Sequence, residues 1–100
     1  MAEPRITIPH EQLAAFCKRH RIRRLAFFGS VLRDDFGPES DVDVLVEFET
    51  GARTGFVFFE RADELAGILG RRVDLHTPKS LSKYFREQVL KEASLEYDAA

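Results

Sequence analysis

The spacing of apolar residues along this chain switches between the period of a helix and that of a strand. Leu13, Phe16 and Cys17 stand at i, i+3 and i+4, which gives a helix one apolar face. Pro9, followed by Glu11 and Gln12, marks the start of that helix, and the basic stretch Lys18 to Arg24 spans its end. Ile22 to Phe28 reads as a buried strand that stops at Gly29-Ser30. Ser30 is placed to cap a short helix running through Phe36, and Gly37-Pro38-Glu39-Ser40 reads as a turn that Ser40 caps.

From Asp41 to Glu49 the period becomes two. Val42, Val44, Val46 and Phe48 alternate with Asp41, Asp43, Leu45 and Glu47, so one face is wholly apolar and the other begins with two carboxylates. Thr50 to Gly55 is a glycine-containing loop, and Phe56 to Leu69 reads as a helix stopped by Gly70. The run Phe56-Val57-Phe58-Phe59 cannot lie on one helix face, so part belongs to the core and the rest is a candidate contact surface. Arg71 to His76 predicts a short strand with Val73 and Leu75 on one face and Arg72, Asp74 and His76 on the other. After a loop at Thr77-Pro78, a final helix is predicted from Ser82 to about Tyr97, with Phe85, Val89 and Leu90 in its apolar stripe. Helices alternating with strands in this order predict a compact α/β domain with a small sheet.

Composition narrows the class. One hundred residues fit a single domain, residues 1–100, with one modest core. Nine phenylalanines are more than such a core usually takes, so some are expected to face a partner. A net charge of -2 argues against broad nucleic-acid binding, while leaving room for a local basic pocket. Cys17 is the only cysteine, which excludes an internal disulfide and suits a reducing compartment. No apolar stretch resembles a signal peptide or is long enough to cross a bilayer, so the expectation is a cytoplasmic protein with no membrane partner.

Two short motifs carry candidate chemistry. Asp41 and Asp43, two positions apart on a strand, would point the same way with backbones roughly 6.5–7 Å apart. Carboxylates so placed can lean onto a pair of metal ions about 3.5–4 Å apart, and magnesium prefers such hard oxygen ligands. Taken alone, the same pattern describes a solvated strand face. Gly29-Ser30 sits where a strand meets a helix start; glycine permits close approach and free N–H groups attract phosphate. Alone it describes a helix cap. Together the motifs read Gly-Ser, ten residues, Asp-x-Asp, a fixed-spacing match expected by chance on the order of once in a thousand such chains. Strand, Gly-Ser, turn and acidic strand also follow in the order that chemistry needs.

The stretches Leu25-Ala26-Phe27-Phe28-Gly29-Ser30-Val31-Leu32-Arg33 and Ser40-Asp41-Val42-Asp43-Val44-Leu45-Val46-Glu47-Phe48 resemble the minimal nucleotidyltransferases (MNT) of the DNA polymerase β-like superfamily. The resemblance covers nearly the whole chain, including Tyr84 to Tyr97. It implies a mixed sheet flanked by helices, with magnesium, two ions, held by Asp41 and Asp43 and the triphosphate at Gly29-Ser30. It also implies a third carboxylate on a later strand, and Val73-Asp74-Leu75 supplies Asp74 as that ligand. Many relatives carry glycine after the arginine of this loop, whereas Asp34 follows Arg33 here. Arg33 therefore either reaches the triphosphate or pairs with Asp35 or Glu39. His76 shares the face of Asp74 and is either beside the site or an ordinary surface histidine, and Glu47 is expected to be solvated.

The reaction so implied is attack of a hydroxyl on the α-phosphate of a nucleoside triphosphate such as ATP, releasing pyrophosphate. Asp74 would hold the catalytic metal and accept the hydroxyl proton. The chain offers no second lobe to enclose a small acceptor, so the expected acceptor is another protein. Stand-alone MNT proteins are commonly paired with a HEPN-domain partner as antitoxin and toxin, and some transfer AMP onto a tyrosine of that ribonuclease. Two rival readings are an antitoxin acting by contact alone and an enzyme acting on a small molecule. Homo-oligomers are left open.

Overall fold

In the computed structural model, which describes residues 6–34, 36–51 and 58–99, the chain folds into a four-stranded mixed sheet and three α-helices. The first helix, α1, spans His10–Arg19 and buries Leu13, Phe16 and Cys17, the predicted apolar face. Pro9 stands at its N-cap, and the chain reverses at Arg21, whose φ of 57° lies in the left-handed region, to enter β1, Ile22–Phe28. The predicted acidic strand is β2, Val42–Phe48, and it pairs antiparallel with β1. Helix α2, Phe58–Leu69, carries the chain across to β3, Val73–His76, which pairs parallel with β2. A parallel pair needs such a crossover, because its strands start at the same end. Of the Phe56–Phe59 run, Phe56 and Val57 lie outside the described residues, as do the side chains of Phe58 and Phe59.

The two faces of the sheet are unequal. Val42, Val44 and Val46 are fully buried in one cluster with Leu25, Phe27 and the inward residues of α1 and α2. On the opposite face, Leu45 and Phe28 form a smaller cluster with Leu81 and with Val89 of α3, which spans Lys83–Glu92. Covering both faces explains why β2 carries Leu45 where alternation alone would place a polar residue.

The end of the chain departs from the predicted helix. Helix α3 stops at Glu92, and Ser94–Asp98 forms a fourth strand, β4, antiparallel to β1. The sheet order is β3-β2-β1-β4. The Ala93 backbone has φ -62° and ψ 141°, so it is extended, and its N–H closes the last helical bond on Val89 at 2.8 Å. The reason is long-range. Leu25, Ala26 and Phe27 are buried, and the free edge of β1 needs partners for its backbone groups. Leu95 and Tyr97 supply them opposite Ala26 and Leu25. The expected α3 stripe is consequently split: Val89 is buried, while Phe85 and Leu90 are about half exposed at 49% and 51%.

The predicted short helix through Phe36 is also tighter than expected. It is a 3-10 turn over Gly29–Leu32, with Phe28 at its N-cap and no side-chain cap from Ser30. Arg33 leaves it extended, φ -118° and ψ 160°, so the turn cannot propagate. The following Gly37–Ser40 turn is closed as expected: the Gly37 N–H donates to Ser40 Oγ at 3.1 Å.

The lead-in to β3 holds that turn in place. Arg71 stacks over Phe36 and donates to the Ser40 carbonyl at 2.9 Å. The Arg72 guanidinium donates to the Glu39 carbonyl at 2.9 Å, and the Arg72 carbonyl accepts from the Val42 N–H at 2.8 Å. The starts of β2 and β3 are thereby fixed side by side.

A polar network ties α1 to α2. Arg61 is the one buried charged residue among those described; it lies over the Phe48 ring and donates from Nε to His20 Nδ1 at 3.2 Å. His20 Nε2 lies 3.1 Å from Glu64 Oε1 and its ring stacks on Phe16. Both contacts suit a neutral imidazole that accepts at Nδ1 and donates at Nε2. Burial, then the charges of Arg61 and Arg19, push the His20 pKa below its ordinary 6.5. A lowered folded-state value means that stability is fully present above the unfolded value and is lost as pH falls through the folded one. Chemical denaturation from about pH 8 to about pH 5 should therefore show wild-type stability declining below about pH 6.5. His20→Gln should flatten that part of the decline.

Candidate active site

The first element of the site is a bend that only glycine can make. Gly29 has φ +77°, and a Cβ there would collide with Oδ2 of Asp43. Both facts follow from register: Phe28, the last residue of β1, pairs with Asp43 on β2, so the turn leaving β1 passes directly over the Asp43 carboxylate.

The second element comes from β3. Asp43 and Asp74 are direct partners in the parallel β2–β3 ladder, which puts their side chains next to each other on one face. His76, two residues further along β3, projects from the same face. Its Nε2 lies 3.2 Å from Asp74 Oδ2 and 3.5 Å from Asp43 Oδ1. The Phe28 ring meets the imidazole edge-on at 5.3 Å and meets Phe85 at 6.5 Å. One ligand atom each from Asp43, Asp74 and His76 fall within 4.8 Å of one another.

Burial pushes the Asp43 pKa above its ordinary 3.8; His76 pulls the other way, and the charges of Asp74 and Asp41 add to the rise. At neutral pH a charged Asp43 therefore costs the fold stability, a cost that a cation in front of it would remove. His76 Nε2 has no well-formed hydrogen bond, although it stands within ion-pair distance of both carboxylates. The imidazole nitrogen thus stands at the point on which the two carboxylates converge. Two hard carboxylates converging on one point fit a divalent metal.

The other sequence-predicted residues are distributed as follows. Asp41 stands one position before β2, and its carboxylate meets Arg72 Nε at 3.0 Å, outside the Asp43–Asp74–His76 cluster. Ser30 is in the turn beside Gly29, and its carbonyl accepts from the Arg33 N–H at 2.9 Å. Arg33 is exposed and borders two hollows, one continuing from Gly29 and one against Phe36, Gly37 and Arg71. Asp35 lies outside the described residues. Glu47 is half-buried and 3.7 Å from Arg24, so it is paired rather than simply solvated. His76 is half-buried between the carboxylates rather than an ordinary surface residue. Its i+2 spacing from Asp74 was the available signal. Arg72 carried none, because its role depends on how β3 meets the Glu39–Asp41 segment.

The mixed sheet with its flanking helices is shared with nucleotidyltransferases. The chain belongs to that family: residues 10–95 match the nucleotidyltransferase domain model. The protein adenylyltransferase MntA of Thermococcus cleftensis is 37% identical over 75 residues, which cover 75% of each chain. A Methanocaldococcus jannaschii protein assigned as a protein adenylyltransferase is 33% identical over 75 residues, 74% of this chain and 75% of that one. Among solved structures, one assigned as a minimal nucleotidyltransferase superposes with a TM-score of 0.70 at 39% identity, covering 84% of this chain and 85% of that one. A toxin–antitoxin complex with AMP-PNP shares the fold, with a TM-score of 0.74 at 20% identity over 92% of this chain and 75% of that one. The mixed sheet and flanking helices implied by the sequence resemblance are therefore the observed fold. Among the described residues no helix is long and apolar enough to cross a membrane.

Two substitutions separate the geometric and electrostatic parts of the site. Gly29→Ala forces a left-handed alanine, about 1–2 kcal/mol, and also pushes on Asp43. The melting temperature should fall by roughly 4–8 °C per kcal/mol in a domain this size. Asp43→Asn should do the opposite in metal-free buffer. Its raised folded-state pKa means the ionised form loses stability as pH rises from 3.8 through the folded value. Calorimetric melting at neutral pH should find the Asn variant a few degrees more stable, and the gain should vanish in strong acid.

Proposed function

We propose that this protein is a magnesium-dependent adenylyltransferase that transfers AMP from ATP to a hydroxyl, most simply a tyrosine, of a HEPN-type ribonuclease toxin. The observation that carries this reading is the Asp43–Asp74 pair beneath Gly29, on a chain whose relatives include a named protein adenylyltransferase. Solved relatives sharing the fold include an MntA–HepT toxin–antitoxin complex and a tri-AMPylated HEPN toxin bound to its MNT antitoxin.

Asp43 and Asp74 would hold magnesium, two ions in the full arrangement, with Asp41 as a further ligand. Bound metal would polarise the α-phosphate and make the attacking hydroxyl more acidic. Gly29 lets the β- and γ-phosphates approach the backbone, Ser30 contributes its hydroxyl, and Arg33 adds positive charge at the same end. Asp74, exposed and beside the metal position, accepts the proton of the incoming hydroxyl. His76 stands between the two carboxylates and would help to fix their spacing.

The acceptor side is suited to a protein. Tyr84, Phe85, Leu90 and Leu95 are large, exposed apolar residues on α3 and β4, and Phe85 reaches the site through Phe28 and His76. A patch of this kind marks a protein contact. Cys17 is a free, buried thiol whose pKa burial raises to about 12, which keeps it protonated and suits a cytoplasmic location.

Contact and catalysis differ in stoichiometry, which supplies the test. With limiting amounts of this protein, ATP and magnesium, mass spectrometry should find AMP added to an excess of the purified partner. Asp41→Asn/Asp43→Asn should abolish the added mass by at least about a hundredfold, the loss typical when a group that stabilises developing charge is removed. Equal neutralisation by the double variant at equal dose, with no nucleotide transferred, would favour an antitoxin that works by contact alone.

A further inference from the structure

A hollow of about 630 Å³ opens from Gly29 between the 3-10 turn and the α3–β4 junction. Leu32 and Arg33 form one wall; Lys91, Glu92, Ala93, Ser94 and Leu95 form the other, so cations stand on both sides and one carboxylate on the second. Its volume is in the range of sites that enclose a nucleotide-sized ligand. Leu32 and Leu95 give it apolar surface, and it starts at the glycine that lies against Asp43.

Lys91 is the unexplained residue of this wall. It stands in the last turn of α3, exposed, and its ammonium makes no ion pair among the described residues. Several other cations have structural work: Arg71 braces the turn before β2, Arg72 holds Asp41, and Arg61 spans Phe48 and His20. A lysine near a helix C-terminus gains a little from the helix dipole. That gain does not explain why its side chain borders the hollow that begins at Gly29.

We propose that Lys91 is a nucleotide-binding residue: it grips the phosphates of the nucleoside triphosphate from the α3–β4 side while the nucleoside rests between Leu32 and Leu95. The proposal rests on the nucleotidyltransferase reading above and adds a second wall to its site. The switch from helix to strand at Ala93 then has a functional consequence, because it is this bend that carries Lys91 and Leu95 to one hollow.

The probes are a non-hydrolysable ATP analogue with magnesium, and adenosine alone, each followed by titration calorimetry. Lys91→Ala should weaken the triphosphate about tenfold, the scale of one charge-assisted contact, and leave adenosine unchanged. Lys91→Arg should restore most of the loss. Lys83→Ala, on the same helix but away from the hollow, is the control and should bind as wild type. Equal triphosphate affinity in wild type and Lys91→Ala would overturn the proposal while leaving the nucleotidyltransferase reading intact. So would a matching loss of adenosine affinity, which would make Lys91 a support for the shape of the hollow. A wild-type protein that binds neither probe would instead sink the nucleotidyltransferase reading, and the proposal with it.

Discussion

The contact between Gly29 and the Asp43 carboxylate is the constraint on which the rest of the site depends. A carboxylate is half-buried at the middle of a sheet, where burial raises its pKa, and the chain leaving the neighbouring strand passes over it. No side chain fits in the space between them. What remains is a narrow place with negative charge below and a left-handed backbone turn above. Burial disfavours the charged form of Asp43, and a cation in front of it would offset that cost.

The remaining architecture places a second carboxylate at the same point. The α2 crossover makes β3 parallel to β2, and the ladder puts Asp74 opposite Asp43. Register is guarded by the Arg71 and Arg72 contacts to the 39–40 backbone and by the Val42–Arg72 backbone bond. A one-residue slip would turn Asp74 into the core and bring Leu75 out, which burial of Leu75 opposes. The lower face of the sheet thus supplies stability through Val42, Val44 and Val46, and the upper face is left to chemistry. The same upper face carries α3 and its exposed apolar residues, so a docked partner and the carboxylates share one side of the molecule.

His76 sits between the two carboxylates of the site. Two neighbouring carboxylates would repel. The imidazole stands between them, its Nε2 3.2 Å from Asp74 and 3.5 Å from Asp43, and Phe28 packs against its ring. Asp41 is paired with Arg72, so the acidic groups are divided between two partners rather than gathered at one point.

Local sequence determined much of this protein. The period-two run of β2, the i, i+3, i+4 face of α1 and the Gly-Ser and Asp-x-Asp spacing are short-range patterns, and the elements and the facing of Asp43, Asp74 and Val73–Leu75 followed from them. What only the tertiary structure decided were the features that depend on a distant partner. The open edge of β1 drew residues 94–97 from the predicted helix into β4. Asp41 shares the motif with Asp43, yet Arg72, brought in by β3, took its carboxylate. His76 and Lys91 acquired their surroundings from strand pairing and from the α3–β4 bend. Periodicity reports which face a residue occupies, because that is set by backbone geometry within a few residues; which groups meet across that face is set by long-range pairing, which no local pattern encodes.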